Sequence, residues 1–220
     1  MTIKENLDFI NKQIRETCVI SDRNYDDVKL IAVTKSASID KINELIKCGV
    51  KRIAESRVKR AKEIFENLSS NFGYDIEKHM IGHLQSNKVK TAVEIFDVIQ
   101  SVDSLKLANK INKTAFEMQK VMKIMLQVNI SSEKQKFGFN SEEIFEIYKK
   151  MLKFTNLRII GIMAMAPFTK KENTRKYFSE AKKIFDELKL KELSIGMSND
   201  FDIAIEEGAT MIRVGRMIFN

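Results

Sequence analysis

The stretch LSIGMSNDFDIAIEEGATMIRVG, Leu193–Gly215, reads as a short strand, a polar turn, a short helix and a second short strand. Apolar residues fill Leu193–Ile195 and Met211–Val214, and each run exits into small or polar residues that open a helical pattern. Strand exits of this kind gather free backbone N–H groups and the positive end of a helix dipole. An anion suits them, phosphate above all. Ser198 after the first run and Gly215 after the second are the candidate contacts.

Outward from that stretch the same unit repeats. Candidate strands centre on Leu30–Val33, Arg52–Ala54, His79–Ile81, Val98–Gln100, Ile124–Val128 and Ile159–Met163, with the two above completing eight. Amphipathic helical patterns fill the intervals at Ile39–Lys47, Arg57–Leu68, Leu84–Ile95, Ser104–Met118, Ser141–Leu152, Glu172–Leu188 and Phe201–Glu206, and a further helix over Ile3–Arg15 precedes the first strand. KIMLQVNI (123–130) and RIIGIMAM (158–165) are nearly continuous apolar runs, as expected of parallel strands buried on both faces. Eight strand–helix units predict an α/β protein, a single (β/α)8 TIM barrel with an extra N-terminal helix and no second β-domain. The alternative, a doubly wound open sheet, needs a glycine-rich first turn, and VTKSASID (33–40) has no glycine.

One domain over residues 1–220 is expected, because the single proline, Pro167, and the lack of any Gly/Ser-rich run leave no linker. A hydrophobic share of 44% with 31% charged residues suits a globular protein with a sizeable core. The net charge of +8 does not point to nucleic acid: in KKENTRKYFSEAKKIFDELKLKE (170–192) lysines alternate with glutamates, the pattern of a solvated helix. No membrane partner is expected either, since no apolar run approaches a span and the amino end is charged and amphipathic, so the expected location is cytoplasmic. Cys18 and Cys48 form no metal-binding or disulfide pattern, and Gly82 interrupts the spacing that His79 and His83 would need to share a metal; no metal site is expected.

In a barrel, functional residues gather where strands exit. Val33-Thr34-Lys35 ends the first strand with an amine, at a place where partial desolvation favours a nucleophile, although a lysine snorkelling to solvent has the same sequence. An amine after strand one and a phosphate cup after strands seven and eight form a constellation for holding a phosphorylated aldehyde as a Schiff base, and pyridoxal 5′-phosphate is the common such cofactor. Arg213 lies within an apolar strand, where an unpaired charge is costly, and Ser198 has a second reading as a helix N-cap. His83 and Asn87 at the third exit, Met163 at the sixth and Lys136 as a second amine after the fifth are lesser candidates that packing, capping or solvation would equally explain.

LIAVTK (30–35), AESRVKRAKE (54–63), HMIGHLQSNK (79–88), MLQVNISSEKQKFG (125–138), IIGIMAMAP (159–167) and the segment from Leu193 to Phe219 resemble, in order, the motifs of the pyridoxal phosphate homeostasis proteins, the alanine racemase N-terminal-domain-like or proline synthase co-transcribed family. The resemblance implies a fold type III barrel with the cofactor on Lys35, phosphate contacts from Ser198 and the backbone of Gly215 and Arg216, and Arg213 facing the pyridine nitrogen. Where the family has Gly-Glu-Asn, this chain has Ala54-Glu55-Ser56, a shorter hydroxyl in place of an amide. The resemblance further implies vitamin B6 homeostasis, in which the protein buffers or delivers the cofactor, with apo-enzymes as recipients and effects on amino-acid metabolism. A monomer without catalytic residues is the expectation. The alternative is a minimal amino-acid racemase.

Overall fold

The computed structural model describes residues 2–69, 75–131, 133, 135 and 137–220. In chain order the elements are α1 (Ile3–Ile20), β1 (Lys29–Val33), α2 (Ile39–Lys47), β2 (Arg52–Glu55), α3 (Val58–Ser69), β3 (Glu77–Met80), α4 (Val89–Ile95), β4 (Val98–Val102) and α5 (Leu105–Glu117). They continue with β5 (Met122–Asn129), β6 (Phe139–Asn140), α6 (Ile144–Met151), β7 (Leu157–Ala164), α7 (Arg175–Glu187), β8 (Glu192–Met197), α8 (Phe201–Glu206), β9 (Met211–Val214) and α9 (Arg216–Phe219).

All strands run parallel, in the order β4-β3-β2-β1-β9-β8-β7-β5, and a β4–β5 pairing with Ile99 opposite Ile124 closes them into a (β/α)8 barrel. The two-residue β6, which the sequence pattern does not reveal, pairs with the far end of β5 outside the ring. Beside β1, the register sets Ile31 opposite Arg213 and Ala32 opposite Val214, so the exits of β1 and β9 are neighbours.

The expected alternation of strands and helices therefore holds, with local shifts. Helix α1 runs on to Ile20 because Ile10, Ile14 and Cys18 continue its buried stripe past Arg15. Its start is a capping box: Thr2 Oγ1 accepts from the Glu5 N–H at 3.2 Å and Glu5 Oε2 accepts from the Thr2 N–H at 2.8 Å. The helix expected from Leu84 begins only at Val89, because the polar run Ser86–Lys88 forms a 3-10 turn as the chain crosses to the outer layer. No helix among the described residues is long and apolar enough to cross a membrane.

Two apolar layers hold the barrel. The larger joins the outer strand faces to the helices, while Ile31, Val33, Ala54, Val98, Met125, Met163 and Met211 fill part of the interior. Met163, a candidate ligand contact by sequence, is in this interior cluster.

Candidate functional site

At the strand exits lies a cavity of about 650 Å3, and Lys35, Ser198, Arg213, Gly215 and Arg216 all line it. Val33, Ser56, Ile81, Asp200, Lys171 and the segment from Met165 to Thr169 complete much of its wall. The residues singled out from sequence thus come together from β1, β8 and β9. Met165–Thr169 follows β7, and of it only Met165–Pro167 carried a signal, as the end of the motif IIGIMAMAP.

Lys35 sits in the turn after β1 and is exposed, so the desolvation expected at a strand end is not present around its side chain. Within the turn Thr34 and Ala37 are buried while Lys35 and Ser36 face outward, which explains the difference. Among the described residues Lys35 makes no hydrogen bond or ion pair. The other cavity lysine, Lys171, is held by Asp202 at 2.5 Å.

The cup is built at the N-terminus of α9. Gly215 stands at its N-cap position, and the first N–H groups of any helix lack partners within it. Glycine matters here for close approach: a Cβ at Gly215 would lie 3.1 Å from the Val33 carbonyl oxygen and 3.2 Å from its Cβ. The missing side chain lets the cup press against the end of β1, two residues before Lys35. Ser198 is not the N-cap of α8, a position held by Asp200, whose Oδ1 accepts from the Met197 N–H at 2.7 Å. The turn instead carries the Ser198 hydroxyl towards the cup, where it accepts from the Gly215 N–H at 3.4 Å. Ser198 and Gly215 can therefore address one anion.

Arg213 is buried without a carboxylate in contact. One terminal nitrogen donates to the carbonyl oxygen and the hydroxyl of Ser194, both at 2.7 Å, and the other donates to the Ala164 carbonyl at 2.9 Å. Burial pulls its pKa down to about 10, against the opposing charge of Asp200, so it remains a cation at neutral pH. Burial in turn raises the Asp200 carboxyl above its ordinary value.

Behind Arg213 a polar chain crosses the barrel interior. Ser194 Oγ donates to Gln100 Oε1 at 2.8 Å, and Gln100 Nε2 lies 2.9 Å from His79 Nδ1. His79 Nε2 then meets Glu77 Oε2 at 3.2 Å, and Arg52 and Lys123 close the chain at 3.3 and 3.4 Å from that carboxylate. With the Gln100 amide donating, His79 Nδ1 accepts and its Nε2 carries the proton. Each buried polar group finds its partner in the next, which offsets the cost of removing it from water. His79 therefore belongs to the interior, whereas His83 lies exposed at the mouth, 2.9 Å from Asp103 Oδ2 and stacked on Phe137. Asn87 is exposed in the 3-10 turn, and Lys136 lies outside the described residues. Among the described residues no group of three His, Cys, Asp or Glu side chains could hold a metal ion.

The chain predicts a pH dependence. Its hydrogen bond with His79, aided by Lys123, holds the Glu77 carboxyl at about 2 against an ordinary 4.5, with burial opposing. A depressed carboxyl stabilises the fold above its unfolded value and loses that contribution as pH falls through the folded value. Thermal unfolding midpoints should therefore drop more steeply between pH 4.5 and 2 in the parent than in Glu77→Gln. Equal slopes would mean that the ion cluster contributes nothing to acid stability.

Fold and cavity together define the class of (β/α)8 barrels whose C-terminal mouth opens between a lysine that follows the first strand and the exits of the last two strands. The chain belongs to the alanine racemase N-terminal domain family, whose model matches residues 6–220, and within it to the pyridoxal phosphate homeostasis proteins. The pyridoxal phosphate homeostasis protein of Aquifex aeolicus is 34% identical over 226 residues, covering 100% of this chain and 98% of that one. The Escherichia coli K12 protein of the same name is 30% identical, with 99% and 95% covered. Among solved structures, PipY of Synechococcus elongatus PCC7942 superposes with a TM-score of 0.89 without PLP and 0.86 with PLP bound, at 32% identity and full coverage of both chains. Alanine racemase of Clostridium difficile 630 shares the fold alone, with a TM-score of 0.71 at 17% identity, and this chain covers 56% of it.

Proposed function

We propose that residues 1–220 act as one barrel domain that binds pyridoxal 5′-phosphate and serves its homeostasis in the cytoplasm, as a monomer that buffers the cofactor or passes it to apo-enzymes. The observation that carries this reading is the single cavity lined by Lys35, Ser198, Arg213, Gly215 and Arg216. The residues fit the group: an unpaired amine stands beside an anion cup whose glycine permits close approach, and the volume is ample for a phosphorylated pyridine. When bound, the cofactor supplies an aldehyde for an amine and an aromatic ring that can take up electron density.

The roles of the chain's own residues follow. Lys35 provides the amine that secures the ligand covalently. Ser198 and the backbone N–H groups of Gly215 and Arg216 receive the phosphate. Arg213 has donors only, so towards a ring nitrogen it presents N–H and keeps that nitrogen unprotonated, which weakens the ring as an electron sink. Its anchors on Ser194 and Ala164 hold the guanidinium in place.

The same inventory supports binding without turnover. Besides Lys35, the titratable side chains among the described cavity residues are Lys171, Asp200, Arg213 and Arg216. Lys171 is already ion-paired, the buried Asp200 carboxyl is engaged by the Met197 N–H, and the arginines do not exchange protons readily at neutral pH. Reversible removal of a Cα proton on both faces needs a poised acid–base pair, which this set does not offer. Incubation with L-alanine and pyridoxal 5′-phosphate, followed by chiral chromatography, should show no racemisation above free cofactor. Racemisation well above that level, and lost in Lys35→Ala, would establish the minimal racemase instead.

A further inference from the structure

Beneath the Lys35 turn lies a buried carboxylate that the cavity does not use. Glu55, at the end of β2, has no exposed surface, and its Oε2 has no hydrogen-bond partner. Its Oε1 accepts from Thr34 Oγ1 at 2.7 Å, immediately before Lys35 in the chain. Arg60, in the first turn of α3, approaches the same oxygen at 3.6 Å through Nε. The terminal nitrogen of Arg60 reaches over the turn, donating to the Ala37 carbonyl at 2.5 Å and to the Thr34 carbonyl at 3.4 Å. The turn is also closed on itself by the Ala37 N–H to the Thr34 carbonyl at 3.0 Å. Both backbone ends of the Lys35 turn are thus tied to one guanidinium, and that guanidinium rests on one buried carboxylate.

We infer that Glu55 and Arg60 are positioning residues that latch the turn carrying Lys35, and so set how readily its amine meets the aldehyde of a phosphorylated ligand. Burying Glu55 is costly, and the charge that faces it is that of Arg60, whose side chain is 36% accessible. One terminal nitrogen of Arg60 bridges both carbonyls of the turn while its Nε faces Glu55, and the rigid guanidinium plane holds these two engagements in fixed relation. With the latch in place the amine starts from a restricted set of positions next to the cup, and the entropy of ordering it is spent before the ligand arrives. Without it the turn keeps its sequence and its cavity but presents the amine in a wider spread of poses. The inference rests on the reading of Lys35 as the attaching amine.

The test separates attachment from phosphate binding. Arg60→Met, Arg60→Lys and Glu55→Gln are compared with the parent in three measurements: the rate of the covalent Lys35 adduct, trapped by borohydride and located by mass spectrometry; the affinity for pyridoxine 5′-phosphate, which has no aldehyde; and amide hydrogen exchange at Ala37 without ligand. Arg60→Met should slow adduct formation on the order of tenfold and speed Ala37 exchange, while pyridoxine 5′-phosphate binds within about twofold of the parent because the cup is untouched. Arg60→Lys should recover part of the rate, and Glu55→Gln, which keeps an acceptor for Thr34 but loses the charge beneath Arg60, should fall between. Parental adduct rates in Arg60→Met, or an equal loss of pyridoxine 5′-phosphate affinity, would overturn the latch. A parent protein that forms its adduct on another lysine would overturn the Lys35 reading and remove the latch with it.

Discussion

Replacing Lys35 with alanine should abolish covalent capture of pyridoxal 5′-phosphate. After incubation and borohydride reduction, the parent should carry its pyridoxyl group on the peptide containing Lys35, and Lys35→Ala should carry essentially none. The expectation comes from the contrast between the two cavity lysines. The amine of Lys171 is tied to Asp202 at 2.5 Å, whereas that of Lys35 has no partner among the described residues and is borne on the turn after β1, the strand that pairs with β9. Proximity of this kind converts a bimolecular encounter into a local one, an advantage that lysines outside the cavity lack. Visible absorption before reduction gives an independent reading of the same event. Modification centred on Lys136 or Lys171, with Lys35 untouched, would move the attachment point and undo the assignment.

The second large effect should come from the phosphate itself. Pyridoxal should bind on the order of a hundredfold more weakly than pyridoxal 5′-phosphate, because each hydrogen bond to a charged group contributes about 1.5–3 kcal/mol and each 1.4 kcal/mol is about tenfold. The Gly215 N–H is only loosely engaged by Ser198 Oγ at 3.4 Å, so both are available to a phosphate oxygen at little cost. Ser198→Ala should take away one such bond, ~1.5–3 kcal/mol, and leave pyridoxal binding nearly unchanged. Titration by absorption or calorimetry of both vitamers against both proteins completes the cycle. Equal affinity of the parent for the two vitamers would show that the cup is not an anion site.

Much of this is legible in the sequence. The eight apolar runs matched strands because parallel strands buried on both faces leave a continuous hydrophobic signature, as β5 and β7 do. Lys35, Ser198 and Gly215 were legible because each follows such a run and barrel topology sends all exits to one face, whereas Arg213 and Arg216 were legible through the family resemblance; all five line one cavity. Less legible were the places where side chains, not periodicity, choose the conformation. The competition at Ser198 between capping α8 and facing Gly215 was settled by the turn from Met197 to Asp200, in which Asp200 holds the Met197 N–H. Segment 165–169 carries no periodic signal, yet it forms part of the cavity wall.

What the sequence by itself determined was the succession of strands and helices, and with it the barrel and the end of the barrel at which chemistry gathers, since period and strand-exit chemistry are local properties of the chain. Only the tertiary structure decided which distant residues become partners. Arg213 is stabilised by Ser194 and Ala164, Ser194 by Gln100, and Gln100 by His79. Glu55 lies beneath the turn of Lys35 with Arg60 across it. Of these contacts, Ser194–Gln100 joins β8 to β4, which closure of the ring brings face to face, and the others join elements close together in the ring whose side-chain pairing only the fold sets. A buried polar group must find its partner wherever the fold places one, and no local pattern specifies where that is.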